Sequence, residues 1–398
     1  MEDAEARLAS ALATPTVAVA EFVAARPARV VDLRAPIEYA ADHWPGAVNI
    51  PLFDDAQRAL VGTLYRQVSP QAAFEAGRRA LETHLEPFVA ELAAQLDAPA
   101  PRAELSRALT ELAGEGIERL KSALTPVPRE LHEARVVLYC QRGGLRSRAS
   151  VALLTRLGLG PVALVEGGYK AWRRLLCDRI AAWRAPRTLV LRGLTGVGKT
   201  LVLRELERLR PGSTLDLEAL AQHRSSVLGM VGLAPVGQKQ FETRLALRLE
   251  ELRGDALVIE GESRKVGDVI VPASVWNAIT GGANVELHAP LERRVEVLCS
   301  DYLAHPASRE QLAPQLEFIE ARLRRGGWSG SLVELLRTGR EPQLVEVLLE
   351  RYYDPLYRHS EQGRRVAARI DATSPALAAQ RLAELLDAQD ADGGAALC

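Results

Sequence analysis

A glycine-rich segment in the second half of the chain has the residue types of a phosphate-binding loop. Its glycines are Gly193, Gly196 and Gly198, and they are followed by Lys199 and Thr200. Glycines let backbone N–H groups turn toward a polyphosphate at the start of a helix. The lysine then reaches the terminal phosphate and the threonine hydroxyl can ligate Mg²⁺. The segment therefore predicts binding of a nucleotide or another diphosphate.

A cysteine followed by glycines and arginines predicts a second site, in the first half of the chain. Cys140 is followed by Arg142, Gly143, Gly144 and Arg146. A thiol between the end of a strand and the start of a helix lies where loop amides and the helix dipole converge. Such surroundings lower the pKa of a thiol and bind an anion. We therefore expect a reactive thiol at Cys140.

Charged residues beyond two further strands of the second half are candidate metal or ligand contacts. Glu260 and Glu262 follow an apolar strand, where a P-loop protein usually has its metal-associated acid, commonly Asp. Another group follows an earlier strand and consists of Asp216, Glu218, His223 and Arg224. Position alone makes the Asp216 group helix-start charges as often as ligand contacts, and an exposed loop is the alternative for Glu260 and Glu262, so these interpretations stay open.

The elements around both motifs favour an α/β fold of two domains. Short β-type runs at 28–33, 47–50, 135–140 and 161–165 alternate with helical stretches, and 69–122 has helical periodicity typical of an insertion. A new apolar strand at 188–191 follows Ala185-Pro186 and marks a boundary. We expect domains at 1–184 and 185–386, the second with a helical part from about 291, and a frayed tail at 387–398.

Composition limits the function classes. The chain has 398 residues, with 50 Lys and Arg against 51 Asp and Glu, and 47% of its residues are hydrophobic. These values exclude disordered, collagen-like and coiled-coil proteins. No apolar run approaches the roughly 20 residues of a membrane span, and acidic residues follow Met1 where a secretory signal is basic, so we expect a cytoplasmic protein. Any nucleic-acid surface must be a local patch, because neither half is basic overall.

The four cysteines are too far apart for a structural metal site. They are at positions 140, 177, 299 and 398. Zinc sites need closely spaced pairs and a disulfide framework needs a higher density of cysteines. We expect no structural metal, and we expect the three cysteines other than Cys140 to be chemically inert.

Three ordered motifs of the first domain resemble those of rhodanese-like domains. The opening motif is DLRAPIEY at 32–39 with HWPGAVNIP at 43–51, the closing motif is VEGGYKAW at 165–172, and Cys140 falls between them like the sulfur-carrying cysteine of that family. The resemblance implies an N-terminal rhodanese-like domain with a helical insertion. It is followed by a P-loop NTPase-like α/β domain with a helical C-terminal part.

A rhodanese-like domain followed at once by a P-loop domain resembles one family, the tRNA 2-selenouridine synthases, also described as tRNA 2-thiouridine geranyl and selenium transferases. The resemblance spans nearly the whole chain and includes PLFDDAQRALVGTLYR at 51–66, DLEALAQHRSS at 216–226, IEGESRKVG at 259–267 and YYDPLY at 352–357. The chain departs from the family at Gln141, which replaces Trp, and at Leu145, which replaces Met. Leu64 stands where some members have a cysteine, so a mechanism that needs only Cys140 is favoured here.

The resemblance implies that selenium replaces sulfur in the wobble 2-thiouridine of tRNA, with selenophosphate as selenium donor and geranyl diphosphate activating the thiocarbonyl. Cys140 would then be the nucleophile or chalcogen carrier, and the P-loop would hold geranyl diphosphate or a nucleotide, with Mg²⁺ as an option. An enzyme that supplies selenophosphate is an implied partner. Candidate tRNA contacts are Arg293, Arg294, Arg322, Arg324 and Arg325, for which an ordinary solvated helix face is the alternative. The oligomeric state is left open.

Two other activities fit parts of the sequence. The Cys-x5-Arg spacing of Cys140 and Arg146 suits a cysteine-dependent phosphatase, although Tyr139 stands where many such enzymes have histidine. Alternatively, the P-loop domain is a small-molecule kinase or ATPase and the rhodanese-like domain is its sulfur-relay or docking module. Phosphate release from an aryl phosphate, or ATP turnover without tRNA, would favour these alternatives.

Overall fold

The protein is described by a computed structural model that covers residues 14–27, 29–101, 104–105, 107–108, 116–303, 308–356 and 364–391. The chain divides between Asp178 and Arg179 into two compact units, unit 1 and unit 2. Within the described ranges, no helix is long and apolar enough to cross a membrane.

Unit 1 contains a parallel sheet of short apolar strands. The described strands are β1 (Thr14–Val17), β2 (Val30–Asp32), β3 (Val48–Asn49), β4 (Pro126–Pro128), β5 (Val136–Tyr139) and β6 (Val162–Val165). Across the sheet, neighbouring strands follow the order β3-β2-β5-β6-β1-β4. The central strands β5 and β6 are buried throughout, as expected for a parallel sheet covered on both faces. The sequence motifs do not predict β1 and β4, because their prolines weaken the strand signal; β4 lies at the sheet edge, where proline is tolerated.

The helices of unit 1 surround this sheet. They are α1 (Val19–Ala25), α2 (Pro36–Ala41), α3 (Asp55–Gln67), α4 (Pro70–Gln95), α5 (Gly116–Ala123), α6 (Leu145–Arg156) and most of α7 (Gly168–Ala182), whose residues from Arg179 onward belong to unit 2. The helical insertion begins at Asp55, earlier than the predicted residue 69. The Asp54 side chain accepts a 2.7 Å hydrogen bond from the Gln57 N–H and caps α3, and this cap is the overlooked start signal.

Unit 2 is built on a second parallel sheet. Its described strands are β7 (Arg187–Arg192), β8 (Thr214–Leu215), β9 (Ala256–Glu260), β12 (Ala283–His288) and β13 (Val366–Asp371). Across the sheet, neighbouring strands follow the order β13-β12-β7-β9-β8. Two further strands, β10 (Lys265–Val266) and β11 (Val269–Ile270), form a separate hairpin. The mainly helical part expected from residue 291 therefore contains one strand. That strand, β13, is an edge strand with only Ile370 buried, and its Ala and Arg residues favour helix in sequence-based reasoning.

Helices cover the sheet of unit 2 and continue to the end of the described chain. They are α8 (Lys199–Leu209), α9 (Leu217–Ala221), α10 (Gln238–Glu251), α11 (Ala273–Gly281), α12 (Leu291–Leu303), α13 (Ser308–Arg325), α14 (Leu332–Arg337), α15 (Glu341–Leu348) and α16 (Pro375–Ala391). The sequence predicts a frayed tail from 387, but α16 continues to Ala391. Leu382 and Leu386 anchor α16 in the core of unit 2. Residues 392–398 lie outside the described ranges.

Candidate functional site

In unit 1, Cys140 lies directly after β5, and Gly144 is the N-cap of α6 four residues later. The thiol is only 2% exposed, and its Sγ lies 3.2 Å from the Ser147 hydroxyl. The strand therefore delivers the sulfur to the amino end of a helix, as the sequence predicts. Ser147 was not singled out by the sequence, although it stands in the same CQRGGLRS segment.

The surroundings of Cys140 favour its thiolate. Burial raises the pKa of the Cys140 thiol, but the positive charge of Arg146, the hydrogen bond with Ser147 and the N–H groups of Arg142 and Ser147 lower it. The lowering contributions prevail, so the pKa lies below that of an ordinary cysteine. The structure thus provides the electrostatics of a nucleophilic sulfur.

The closing motif of the first domain holds the cysteine loop in place. The Tyr169 N–H donates to the Cys140 carbonyl at 2.9 Å, and the Lys170 N–H donates to the Gln141 carbonyl at 3.0 Å. Gly168 has a φ of +59°, and a Cβ there would lie 2.3 Å from the Cys140 carbonyl oxygen. Only glycine permits this approach, so Gly168 positions the loop through its lack of a side chain.

The opening motif forms a buried ionic network behind the loop. Arg34 donates to both carboxylate oxygens of Asp32 and to the Asp42 carbonyl, and its guanidinium stacks 3.7 Å from the centre of the Tyr169 ring. The Tyr169 hydroxyl donates to Asp42 at 2.9 Å. Removing one member would leave buried charge without compensation, so this network stabilises the arrangement of the opening and closing motifs.

Two arginines of the loop differ in their environment. Arg142 is exposed, whereas Arg146 is half-buried and its Nη1 lies 3.7 Å from the Glu38 carboxylate. That Nη1 is buried and has no hydrogen-bond partner within the described residues. An anion beside Cys140 would satisfy it, because buried guanidinium N–H groups favour a charged acceptor.

A cavity of about 800 Å³ opens beside the cysteine loop. Its walls come from the core and from helices α3 to α6, and they are mainly aliphatic and aromatic; they include Phe53, Val61, Phe74, Leu81, Phe88 and Leu120. Cys140, Gln141, Arg142 and Arg146 line the same cavity, as does Leu145. Leu64 lies half-buried on α3 and does not line it. The sequence did not indicate this cavity, because its walls look like ordinary core positions.

In unit 2, the glycine-rich loop connects β7 to α8 as expected. Gly193, Gly196 and Gly198 have φ angles of +146°, +77° and +92°, and a Cβ on Gly193 or Gly196 would lie less than 3 Å from a backbone oxygen. Lys199 folds back over the loop and donates to the Gly193 carbonyl at 3.4 Å. The next residue, Thr200, lies in the first turn of α8. The loop has the conformation that turns N–H groups toward a phosphate.

A cluster of carboxylates lies beside Lys199. One oxygen from each of Glu218, Glu260 and Glu262 falls within 4.8 Å of the others, and Glu262 lies 3.8 Å from the lysine nitrogen. Glu260 is completely buried at the end of β9, and its Oε1 has no hydrogen-bond partner among the described residues. Asp216 caps α9 by accepting from the Ala219 N–H at 2.8 Å. The predicted acids Glu260 and Glu262 thus converge with Glu218, which the sequence left open.

The pKa values of this cluster are strongly raised. Burial together with the neighbouring Glu262 raises the pKa of Glu218 to about 8, against an opposing contribution from Lys199. Burial and the charges of Glu218, Asp216 and Glu262 raise the pKa of Glu260 well above its usual value, and burial also raises that of Asp216. Glu218 therefore holds a proton at neutral pH, the pKa of Glu260 is shifted in the same direction, and a multivalent cation would displace these protons.

Arg294 corrects an expectation from the sequence. It was a candidate tRNA contact, but it is 5% exposed and donates to both oxygens of Asp354 at 2.6 and 3.0 Å. Its Nε also donates to the Thr195 carbonyl at 2.9 Å. Arg294 therefore binds the P-loop through the Thr195 carbonyl, and its burial keeps it from contacting RNA. Its partner Asp354 belongs to the YYDPLY segment, which explains why a charged residue stands there.

A cavity of about 660 Å³ adjoins the P-loop. The loop residues, Glu218 and Glu260 line one side, and Tyr302, Tyr352 and Leu356 line another. Arg224 also lines it; the guanidinium is paired with Asp301 at 2.6 Å and lies 4.6 Å from the centre of the Tyr302 ring. His223 is outside this lining, and its pKa is lowered, chiefly by burial. The cavity joins a phosphate cradle to an aromatic wall.

The remaining basic candidates lie near the surface of unit 2. Arg322, Arg324 and Arg325 are exposed in the last turn of α13, and Arg322 lies 5.6 Å from the centre of the Tyr352 ring. Arg324 pairs with Glu320, and Arg293 lines the P-loop cavity while pairing with Glu296 at 3.0 Å. Tyr357 and Cys398 lie outside the described residues.

Comparison with known proteins agrees with this architecture. Residues 186–322 match the family model described as "tRNA 2-selenouridine synthase AAA domain", and residues 106–175 match "Rhodanese-like domain". Proteins named tRNA 2-selenouridine synthase are 34% identical in Cupriavidus pinatubonensis (86% of this chain, 90% of that protein) and 30% identical in Chromohalobacter salexigens (83% and 87%). Another in Pseudomonas syringae pv. tomato is 31% identical (86% and 90%). The chain therefore belongs to the family of tRNA 2-selenouridine synthases, and it is an enzyme.

Proposed function

We propose that this enzyme replaces the sulfur of a wobble 2-thiouridine in tRNA by selenium, by way of an S-geranyl intermediate. The observation that carries the proposal is Cys140, a buried thiol of lowered pKa at an anion-binding loop, in a chain that also has a P-loop. The names of the relatives supply the tRNA and the selenouridine product. Geranyl diphosphate and selenophosphate come from the family resemblance.

The proposed chemistry has two balanced steps. In the first, the thiocarbonyl sulfur attacks C1 of geranyl diphosphate; a C–S bond forms, the C–O bond to diphosphate breaks, and the N3 proton is released. In the second, selenium from selenophosphate attacks C2 of the base, the C2–S bond breaks and geranylthiol leaves. Water takes up the phosphoryl group as inorganic phosphate and supplies the protons for the thiol and N3. No external oxidant or reductant is needed.

We assign the selenium step to the cysteine loop of unit 1. The Cys140 thiolate would attack the phosphorus of selenophosphate, since a low-pKa thiolate is a nucleophile at neutral pH. An S–P bond forms as the P–Se bond breaks, the released selenide attacks C2 of the base, and water then hydrolyses the S–P bond and regenerates Cys140. The positive charges of Arg142 and Arg146 and the loop amides would hold the selenophosphate oxygens. The unpartnered Nη1 of Arg146 supports this assignment.

We assign the diphosphate of the prenyl donor to the P-loop of unit 2. The N–H groups after Gly193, Gly196 and Gly198, with Lys199, suit a diphosphate. The adjoining Tyr302, Tyr352 and Leu356 side chains offer apolar contacts for the hydrocarbon chain. A nucleotide, whose base would stack on the tyrosines, is the second candidate for this loop.

The carboxylate cluster fits a divalent cation at the P-loop. Oxygen ligands are those that Mg²⁺ prefers, and Glu218, Glu260 and Glu262 offer three within 4.8 Å of one another. Thr200 would contribute its hydroxyl. A bound Mg²⁺ would supply charge neutralisation for the leaving diphosphate. Without it, the raised pKa values keep Glu218 and Glu260 protonated and prevent repulsion of the anionic substrate.

The macromolecular partner in this proposal is tRNA. Exposed arginines at the end of α13, Arg322, Arg324 and Arg325, with Arg293, are the proposed phosphate contacts, because RNA binding draws on clustered positive charge. An enzyme that makes selenophosphate is the proposed supplier of the selenium donor. We place the reaction in the cytoplasm, where tRNA is found and thiols stay reduced.

The direct test is reconstitution with the purified full chain, a thiolated tRNA, geranyl diphosphate and selenophosphate, followed by nucleoside mass spectrometry. We expect S-geranyl-2-thiouridine and then 2-selenouridine, and we expect the Cys140→Ala variant to lose the selenium product. Full selenium incorporation by that variant would remove Cys140 from the mechanism. ATP turnover independent of tRNA, or release of phosphate from an aryl phosphate, would instead support a kinase or a phosphatase.

A further inference from the structure

We propose that the apolar cavity beside Cys140 binds the ten-carbon geranyl group carried by the sulfur of the tRNA base, and retains it as geranylthiol when selenium displaces it. The inference rests on the proposed function and deepens it. The P-loop accounts for the geranyl group only while that group is still attached to diphosphate. It assigns a second prenyl site, in unit 1, to the helical insertion.

The first argument is the chemistry of the cavity walls. Phe53, Val61, Phe74, Leu81, Phe88 and Leu120 present aliphatic and aromatic surface to a space of about 800 Å³. Small-molecule sites usually have cavity volumes of about 300–1,000 Å³. A hydrocarbon ligand gains free energy in proportion to the apolar area it removes from water. Selenophosphate, a small trianion, would use only the loop and would leave these walls exposed to water.

The second argument is the distribution of charge around the same cavity. Its lining includes six basic residues, namely Arg58, Arg66, Arg78, Lys121, Arg142 and Arg146, against one acid, Glu38. Four of the six are near acids: Arg58 and Arg146 face Glu38, Arg78 pairs with Glu75 and Glu82, and Lys121 pairs with Glu118. Arg66 and Arg142 therefore contribute most of the positive charge that a ligand would meet. Arg66 and Arg142 are exposed, and Arg66 donates only to the Gly62 carbonyl among the contacts described. An apolar interior with a basic lining complements a ligand with a hydrocarbon chain and a polyanionic body. A geranylated tRNA has both properties.

The third argument is the position of the reactive sulfur. Cys140, Gln141, Gly144 and Arg146 line this cavity together with the apolar residues. A geranyl chain seated among Phe74 and Phe88 therefore places its C1–S end at the thiol loop. This is the arrangement that the second step needs, because selenium must reach C2 of the base while geranylthiol departs from the same carbon.

The helical insertion supplies most of this cavity. Val61, Phe74, Leu81 and Leu120 come from α3, α4 and α5, all of which lie between β3 and β4 in the chain. The Cys140 and Gln141 carbonyls of the cysteine loop are bound by the closing motif. The insertion adds an apolar cavity beside this loop, as a prenylated substrate would require.

The binding test needs neither tRNA nor selenium. Geranyl methyl sulfide is added to the full chain, and the rate of Cys140 alkylation by iodoacetamide is measured by peptide mass spectrometry. We expect the thioether to slow alkylation at least five-fold, and dimethyl sulfide at the same concentration to have no effect. No protection by the thioether would overturn the proposal. If geranyl diphosphate protects Cys140 and the thioether does not, the proposal would also be overturned, since the cavity would then bind the prenyl donor.

A matched pair of variants tests the cavity itself. Val61 lines it, whereas the adjacent Leu60 is 55% exposed and does not. We expect Val61→Trp to abolish protection by the thioether and Leu60→Trp to preserve it. On supplied tRNA, Val61→Trp should lower the ratio of selenium transfer from S-geranyl relative to S-methyl 2-thiouridine about ten-fold. Equal effects of the two variants would contradict the proposal.

The two hypotheses fail in different ways. Absence of selenium incorporation by the unaltered enzyme would refute the proposed function, whatever the thioether does. Incorporation with no thioether protection would refute only the cavity assignment. If Val61→Trp does not fold, the protection of the unaltered chain decides the question by itself.

Discussion

At the scale of single residues, both candidate sites depend on charges held out of water. Arg146 lies beside a buried thiol and lowers its pKa, whereas the charge of Lys199 does not offset the rise in the pKa values of Glu218 and Glu260. The same physical terms, burial and neighbouring charge, therefore favour an anion at one site and protonated acids at the other. Each site is prepared for its own chemistry before any substrate binds.

The role of Arg146 predicts a change in thiol reactivity. Since its positive charge lowers the pKa of Cys140, Arg146→Gln should raise that pKa and reduce the thiolate fraction at neutral pH. We expect alkylation of Cys140 at pH 7 to slow several-fold and the midpoint of its pH profile to move upward. Arg156→Gln, at the far end of α6, is the control. An unshifted profile in the Arg146 variant would contradict the electrostatic assignment.

The raised pKa of Glu218 predicts a pH-dependent stability. A carboxyl with a pKa of about 8 in the folded state and about 4.5 when unfolded stays protonated to a higher pH in the folded protein. Its contribution is therefore complete below about pH 4.5 and is lost as the pH rises toward 8. Glu218→Gln should reduce the fall in the Tm of unit 2 between pH 5 and 8, as measured by calorimetry without divalent metal. Glu205→Gln, on α8, should leave that fall unchanged.

The buried pair behind the P-loop predicts a large loss of stability. Arg294→Gln leaves the Asp354 carboxylate without its partner, which typically costs about 3 kcal/mol. Urea unfolding, with the transition of unit 2 fitted separately, measures the cost. The double variant Arg294→Met, Asp354→Leu should recover much of it, because no uncompensated charge remains. A double variant as unstable as the single one would show that the loss comes from packing alone.

At the scale of elements, the strongest sequence signals lie where a strand meets a glycine-rich loop. The segments after β5 and β7 combine glycines with a reactive or cationic residue, and the structure places both at the start of a helix. The cavity walls gave no such signal, because Val61, Phe74 and Leu81 have the helical spacing of ordinary core residues. The cavity between these residues results from how α3 and α4 pack in the folded domain, which the spacing of residues in the sequence does not show.

The start of α3 predicts a measurable contribution of the insertion to stability. Asp54 caps this helix through the Gln57 N–H, and Asp54→Ala should cost about 1 kcal/mol. Urea unfolding of the full chain checks this value, with the transition of unit 1 fitted separately. Asp54→Asn, which keeps an accepting side-chain oxygen, should lose much less. Equal losses in both variants would show that the charge rather than the cap matters.

At the scale of the whole molecule, the sequence predicted two α/β units and the order of their motifs, because each strand-loop-helix junction is local in the chain. It did not predict the pairing of Arg294 with Asp354, or the convergence of Glu218 with Glu260 and Glu262. Those contacts join residues distant in the chain, and they depend on which strands become neighbours in the sheet. Local patterns therefore predicted the candidate residues, and the sheet topology determined which of their side chains lie close together.

The assignment of two steps to two units predicts that they can be separated. Cys140→Ala should stop at S-geranyl-2-thiouridine, because the P-loop of unit 2 is unaltered. Lys199→Ala should make little of this intermediate, since loss of a charge-assisted contact weakens diphosphate binding by roughly 1.5–3 kcal/mol. It should nevertheless convert supplied S-geranyl tRNA to selenouridine at the normal rate. Nucleoside mass spectrometry of the products of each variant alone, and of the two variants mixed, measures these outcomes.

The mixture of the two variants tests whether the intermediate is released. If it is, the mixture should restore the selenium product that neither variant forms efficiently from thiolated tRNA. Failure of Lys199→Ala to use the supplied intermediate would mean that the P-loop also serves the selenium step, and the division of labour between the units would be wrong.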